Sequence, residues 1–208
     1  MSNILVINSS AAAADSVSRE LVAEAVAQIR SVNPTATFTY RDLGANPPPH
    51  LIAQTLNGVR GTAVTETEFS ARRLSDEFIG ELRDADTLLI GAPMYNFGVS
   101  TPLRAWFDHV LRAGITFKYA DGAPRGLLGG RRVIVIESRG GLYSEGPAQN
   151  VDFQEPYLTH LLGFMGITDI TFVRAEKIGY GPDARAAAID SAKVRIADVV
   201  RTPLEEAA

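Results

Sequence analysis

Cysteine is absent from this 208-residue chain, which removes disulfide scaffolds, thiolate zinc sites, iron–sulfur clusters and thiol nucleophiles together, while leaving the redox compartment open. Clustered basic charge is missing too: 20 Lys and Arg stand against 24 Asp and Glu, a net charge of −4, and no basic run exceeds Arg131-Arg132. Neutralising a phosphate backbone needs a basic face, so nucleic acid is not an expected partner. No stretch approaches the roughly 18 apolar residues of a membrane helix, and the N-terminus lacks the basic flank and long apolar core of a signal peptide. A cytoplasmic protein without membrane attachment is expected. The histidines, His50, His109 and His160, are scattered, and no His/Asp/Glu group has ligand spacing, so no metal is expected. Redox chemistry would need a bound cofactor.

What is present is a set of short β-branched runs. Ile4-Leu5-Val6-Ile7, Thr87-Leu88-Leu89-Ile90, Val133-Ile134-Val135-Ile136 and Ile170-Thr171-Phe172-Val173 read as strands buried on both faces, and the alternating Thr37-Phe38-Thr39-Tyr40 as a sheet edge. Between them the apolar period becomes helical. The stripes are Leu21, Val22, Ala25, Val26 and Ile29; Leu74, Phe78 and Leu82; Leu103, Trp106, Phe107, Val110 and Leu111; Leu158, Leu161, Leu162 and Met165; and Ile189, Ala192, Ile196 and Val199. Asn33-Pro34 stops the first helix, and Asp152 with Glu155 stands at capping-box spacing before the fourth. Alternating strands and helices with right-handed crossovers predict an α/β, flavodoxin-like, doubly wound five-stranded parallel sheet, order 2-1-3-4-5, with helices on both faces. No repeat or linker divides the chain, so one domain over 1–208 is expected. Gly44 to Thr65, containing Pro47-Pro48-Pro49, reads as a surface excursion near a site.

Ligands of open parallel sheets bind beyond the strand carboxyl ends, which directs attention to three loops. After the first strand, Ser9 to Ser18 is rich in small residues and hydroxyls and leads into a helix whose N-terminus favours an anion; Ser10, Ser16 and Ser18 suit a phosphate. Serines before a helix are equally ordinary N-caps, and neither a Walker lysine nor Gly-x-Gly-x-x-Gly is present. After the third strand, Met94, Tyr95, Asn96 and Phe97 form a Pro- and Gly-bounded loop that a flat amphipathic ring would cover, or whose aromatics simply cap the core. After the fourth, Ser138, Arg139, Gly140 and Gly141 bring paired glycines that admit a ligand edge, or a tight turn. Together the loops match the phosphate, ring face and ring edge of a flavin mononucleotide.

At these residues the sequence resembles the FMN-dependent NADH azoreductase and NADH:quinone oxidoreductase family, with further matches at Arg112 to Phe117 and Leu162 to Ile167. The resemblance implies a flavodoxin-like FMN enzyme using NADH in a ping-pong cycle. A hydride would pass through flavin N5 to quinones, giving quinols, and to aromatic azo compounds, giving aromatic amines after two cycles; no protein nucleophile is implied. It places Ser10, Ser16, Val17 and Ser18 at the phosphate end, and Met94 to Phe97 with Ser138 to Gly141 around the isoalloxazine. It also implies a homodimer in which Phe117, Tyr119 and Phe164 help to wall the substrate site, although all three read equally well as core aromatics. Two alternatives are an electron-carrying flavodoxin, which the modest charge disfavours, and a serine-loop hydrolase such as an acyl-carrier-protein phosphodiesterase, which lacks a Gly-x-Ser-x-Gly elbow.

Overall fold

The computed structural model describes residues 2–201; Met1 and 202–208, the ends of the single-domain span expected from the sequence, lie outside them. Five parallel strands form the sheet: β1 (Asn3–Asn8), β2 (Thr37–Asp42), β3 (Thr87–Pro93), β6 (Arg132–Ser138) and β7 (Asp169–Ala175), in the order β2-β1-β3-β6-β7. The order is the expected one, with a hairpin inserted in sequence between the third and fourth sheet strands. The central strands are buried throughout because both faces are covered. Alternate residues face opposite layers. Leu5, Ile7, Leu88, Ile90, Val133 and Val135 pack against α3 (Glu66–Asp84), α4 (Thr101–Val110) and α5 (Glu155–Phe164). Ile4, Val6, Leu89, Ile134, Ile136 and Val173 pack against α1 (Val17–Val32) and α6 (Pro182–Arg201). Each fully buried Leu or Ile contributes roughly 1.5–3 kcal/mol, whereas an exposed ion pair gives about 0–1, so these two layers rather than surface charges hold the loops in place.

Three features depart from the sequence reading. The excursion from Gly44 to Thr65 contains α2 (Ala53–Arg60). It is pinned to α4 where the buried His109 Nε2 meets the Pro49 carbonyl at 3.0 Å. Residues Phe117–Ala120 (β4) and Ala123–Gly126 (β5) form an antiparallel hairpin, turned at Asp121 and Gly122 with φ of 54° and 78°. Asp-Gly is a strong hairpin signal because both positions need positive φ. Finally, only half of the Asp152/Glu155 capping box forms. Asp152 Oδ1 accepts from the N–H groups of Gln154 (2.8 Å) and Glu155 (3.2 Å), but the Glu155 carboxylate turns to Arg139 and Arg174. No described helix is long and apolar enough to cross a membrane.

Candidate functional site

The carboxyl ends of β1, β3 and β6, adjacent in the sheet, carry the three loops to one edge. Ser9 ties the first loop to β3, its Oγ donating to the Gly91 carbonyl at 2.7 Å. Ser10 Oγ then becomes a meeting point: it accepts from Ser16 Oγ at 2.9 Å and Ala12 N at 3.3 Å, and lies 3.4 Å from the Tyr95 hydroxyl. Ser16, the N-cap of α1, accepts from Arg19 N at 3.4 Å and sits 3.3 Å from Ser18 Oγ. Ala11 N donates to Tyr95 Oη at 3.2 Å. The structure thus gathers Ser10, Ser16, Ser18 and Tyr95 at a helix N-terminus, as neutral hydroxyls that rotate to donate to an anion. Val17 belongs to the core by its side chain and offers this cluster its backbone alone.

Arg19, which reaches into this loop, is not free for such an anion. Arg19 spends its guanidinium on both Asp42 oxygens (2.6 and 2.7 Å) and on the carbonyls of Ser10 and Ala12, each at 2.9 Å. The Arg19 hydrogen bond holds the Asp42 carboxyl below its usual range. Arg19 and Asp42 are loop-shaping residues that sequence patterning gave no signal for.

In the second loop, Tyr95 and Gly98 exchange backbone hydrogen bonds of 2.9 and 3.1 Å around Asn96 and Phe97, whose φ angles are 48° and 69°. Left-handed backbone costs a non-glycine residue roughly 1–2 kcal/mol, and such strain concentrates at ligand sites. The turn lifts Tyr95, Asn96 and Phe97 into exposure while Met94 stays half-buried. Phe97 meets Tyr143 edge to face at 6.1 Å, joining the second loop to the third.

In the third loop neither Gly140 nor Gly141 has positive φ, so no turn geometry demands glycine. A Cβ at Gly140 would meet no protein atom within 4 Å beyond its chain neighbours, and one at Gly141 would first meet the Tyr143 side chain, at 3.2 Å. The loop therefore presents open space. Ser138 is buried, its carbonyl accepting from Met94 N at 2.9 Å. Arg139 brings to the loop its backbone rather than its guanidinium. Its side chain is fully enclosed, with Nη2 at 2.7 Å from Glu137 and 2.8 Å from Glu155, and Nη1 at 3.1 Å from Asp152 and 3.5 Å from Glu176. One guanidinium cannot balance four carboxylates, and burial pushes the Glu137 carboxyl up to about 9. Burial also acts on Glu155, but its Arg174 hydrogen bond and the charges of Arg139 and Arg174 outweigh it and lower that carboxyl.

Phe117, Tyr119 and Phe164 do assemble: Phe117 lies 4.6 Å from Phe164 and 5.7 Å from Tyr119 between ring centroids, across β4 and α5. Among the described residues this group shares no ring contact with the Phe97–Tyr143 pair. Nor does any histidine hydrogen-bond Ser10 among them, which leaves a serine nucleophile without a base.

Comparison with known proteins places this geometry in context. The family model described as "Flavodoxin-like fold" matches residues 2–200. The chain is 63% identical over 202 residues to the FMN-dependent NADH:quinone oxidoreductase of Hyphomonas neptunium, covering 97% of each chain, and 46% identical to that of Ralstonia nicotianae, covering 95% and 96%. Among solved structures, azoreductase from Bacillus anthracis superposes with a TM-score of 0.88 at 29% identity, covering 96% of this chain and 99% of that one.

Proposed function

The chain belongs to the FMN-dependent NADH:quinone oxidoreductase family, with a flavodoxin-like fold, and on that premise we propose which of its residues carry the reaction. It is an FMN-dependent oxidoreductase with NADH as donor, acting on quinones and, as its azoreductase neighbours do, on aromatic azo compounds. FMN when bound supplies two-electron transfer between nicotinamide and acceptor. The residues fit that group: a neutral hydroxyl cluster stands at one end for the phosphate, and open space over Gly140 at the other for a ring edge. The joint placement of these two features at the carboxyl ends of β1 and β6, on either side of β3, is the observation that carries the reading.

Ser10, Ser16 and Ser18, with the backbone at Val17, hold the phosphate end by hydrogen bonds and the α1 dipole. Met94, Tyr95, Asn96 and Phe97 cover one ring face, and Ser138, Gly140 and Gly141 border the ring edge. There, backbone N–H groups stabilise negative charge. Arg139 acts from behind this loop. Residues 1–208 work as one flavodoxin-like unit. The exposed Tyr119 and Phe153, 70% and 62% accessible, support a homodimer in which Phe117, Tyr119 and Phe164 complete the acceptor side. Sedimentation of the loaded enzyme at twice the subunit mass is the expected result. The catalytic reading is tested by anaerobic NADH addition: visible flavin bands bleach, then return on adding a quinone. Purified protein that stays colourless after incubation with FMN would sink it.

A further inference from the structure

Behind the glycine loop, the chain leaving β7 runs back along it. Arg139 N donates to the Ala175 carbonyl at 2.9 Å, Lys177 N to Gly141 at 2.9 Å, Gly179 N to Gly140 at 3.0 Å and Ile178 N to Arg139 at 3.2 Å. Into this clamp projects Glu176, whose side chain is only 10% exposed. Its Oε1 accepts from Tyr143 N at 2.8 Å and Ser144 N at 3.0 Å, its Oε2 accepts from Ser144 Oγ, and Arg139 Nη1 lies 3.5 Å from Oε1. Four donors converging on two oxygens require an acceptor-only group, and a carboxylate makes charge-assisted bonds about twice as strong as neutral ones. A loop whose lining residues are glycines has no side chains with which to fix its own shape.

We infer that Glu176 is a positioning residue for the flavin-facing loop. Its carboxylate locks the backbone at Tyr143 and Ser144, and thereby sets the open edge at Gly140 and Gly141 and the Tyr143 ring against Phe97. Arg139, 3.5 Å away, is its internal counter-ion. The inference rests on the FMN reading above.

The test removes FMN from the full-length protein and follows rebinding by flavin fluorescence quenching and by the visible bands of the bound state. Glu81 on α3, a partly buried carboxylate whose hydrogen bonds run to Arg41 on β2 and to none of the three loops, provides the control. Glu176→Ala is expected to weaken FMN about tenfold and shift the visible bands. Glu176→Gln, which keeps one acceptor oxygen, weakens it about threefold, and Glu81→Ala leaves affinity and bands unchanged. Wild-type affinity and bands in Glu176→Ala overturn the inference, as does an equal loss of FMN in Glu81→Ala. If Glu176→Ala shows no cooperative melt, Glu176→Gln decides, and unchanged affinity there overturns the inference. Wild-type protein that takes up no FMN overturns the FMN reading and this inference with it.

Discussion

In the loop after β1 the serines meet one another as neutral hydroxyls at 2.9–3.3 Å, whereas behind the loop after β6 four acidic side chains are enclosed about the Arg139 guanidinium. The difference follows from what each end has to receive. A phosphate needs donors not already committed, and of the acids near this loop Asp42 is consumed by Arg19, Glu20 pairs with Lys193 and Asp15 is exposed. A ring edge needs bare backbone, which is shaped from outside; the acidic cluster serves this, and sits away from the anion it would repel. The two ends should therefore respond to mutation differently.

The largest effect is expected where the charges are buried. Arg139→Met leaves Glu137, Asp152, Glu155 and Glu176 without their common cation. Breaking a buried pair from one side costs about 3–5 kcal/mol, a melting-temperature loss on the order of 10 °C for a chain of this size. Calorimetry on the apo-protein measures it, and a loss below about 2 °C would mean that the cluster does not hold the loop.

The same cluster sets a pH dependence on the alkaline side. Glu137 is held neutral, its folded pKa raised by burial to about 9. Its stabilising contribution is thus complete below the ordinary carboxylate range and is lost as pH rises toward 9, because the unfolded chain ionises first. The slope is at most ~1.4 kcal/mol per pH unit. Glu137→Gln, neutral at every pH, should gain on the wild type steadily across that window in urea melts. Parallel pH profiles of the two proteins would show Glu137 ionised in the fold.

How far the sequence reveals each end is also unequal. The strands and the three loops follow from periodicity, because strands buried on both faces read as unbroken apolar runs, while their order comes from the right-handed crossover rule and five-strand α/β alternation. The serine cluster is legible because the hydroxyls sit near one another in sequence, before a helix. The support behind the glycine loop is not, because Glu137, Asp152, Glu155, Glu176 and Arg174 converge only through tertiary packing, and an arginine beside glycines reads as a ligand contact until its burial is seen. The β4–β5 hairpin was signalled by Asp121-Gly122 and is short enough to pass as a loop, while α2 is hidden by its mixed polarity.

A bare ring edge should tolerate no side chain. Gly140→Val has room within the protein, since no atom beyond its chain neighbours lies within 4 Å of the added Cβ. The fold should persist while affinity for both FMN and riboflavin falls about a hundredfold. Gly141→Val, which from sequence alone is an equivalent block, must also displace the Tyr143 ring at 3.2 Å, so Gly140 is the cleaner probe. Full flavin occupancy in Gly140→Val would remove this loop from the ring edge.

Ser16→Ala should have the smallest effect, and separates the two ends most sharply. It removes the N-cap of α1, worth about 1 kcal/mol of apo-protein stability, and one hydroxyl of the cluster around Ser10 and Ser18. Because that hydroxyl serves the phosphate alone, FMN affinity should drop about fivefold, or ~1 kcal/mol, while riboflavin affinity stays at the wild-type value. Gly140→Val, by contrast, weakens both ligands alike. The ratio of the two affinities, measured by fluorescence titration, therefore reports which end of the cradle a variant has damaged. A Ser16→Ala protein that loses riboflavin as strongly as FMN would place the serine against the ring system instead of the phosphate.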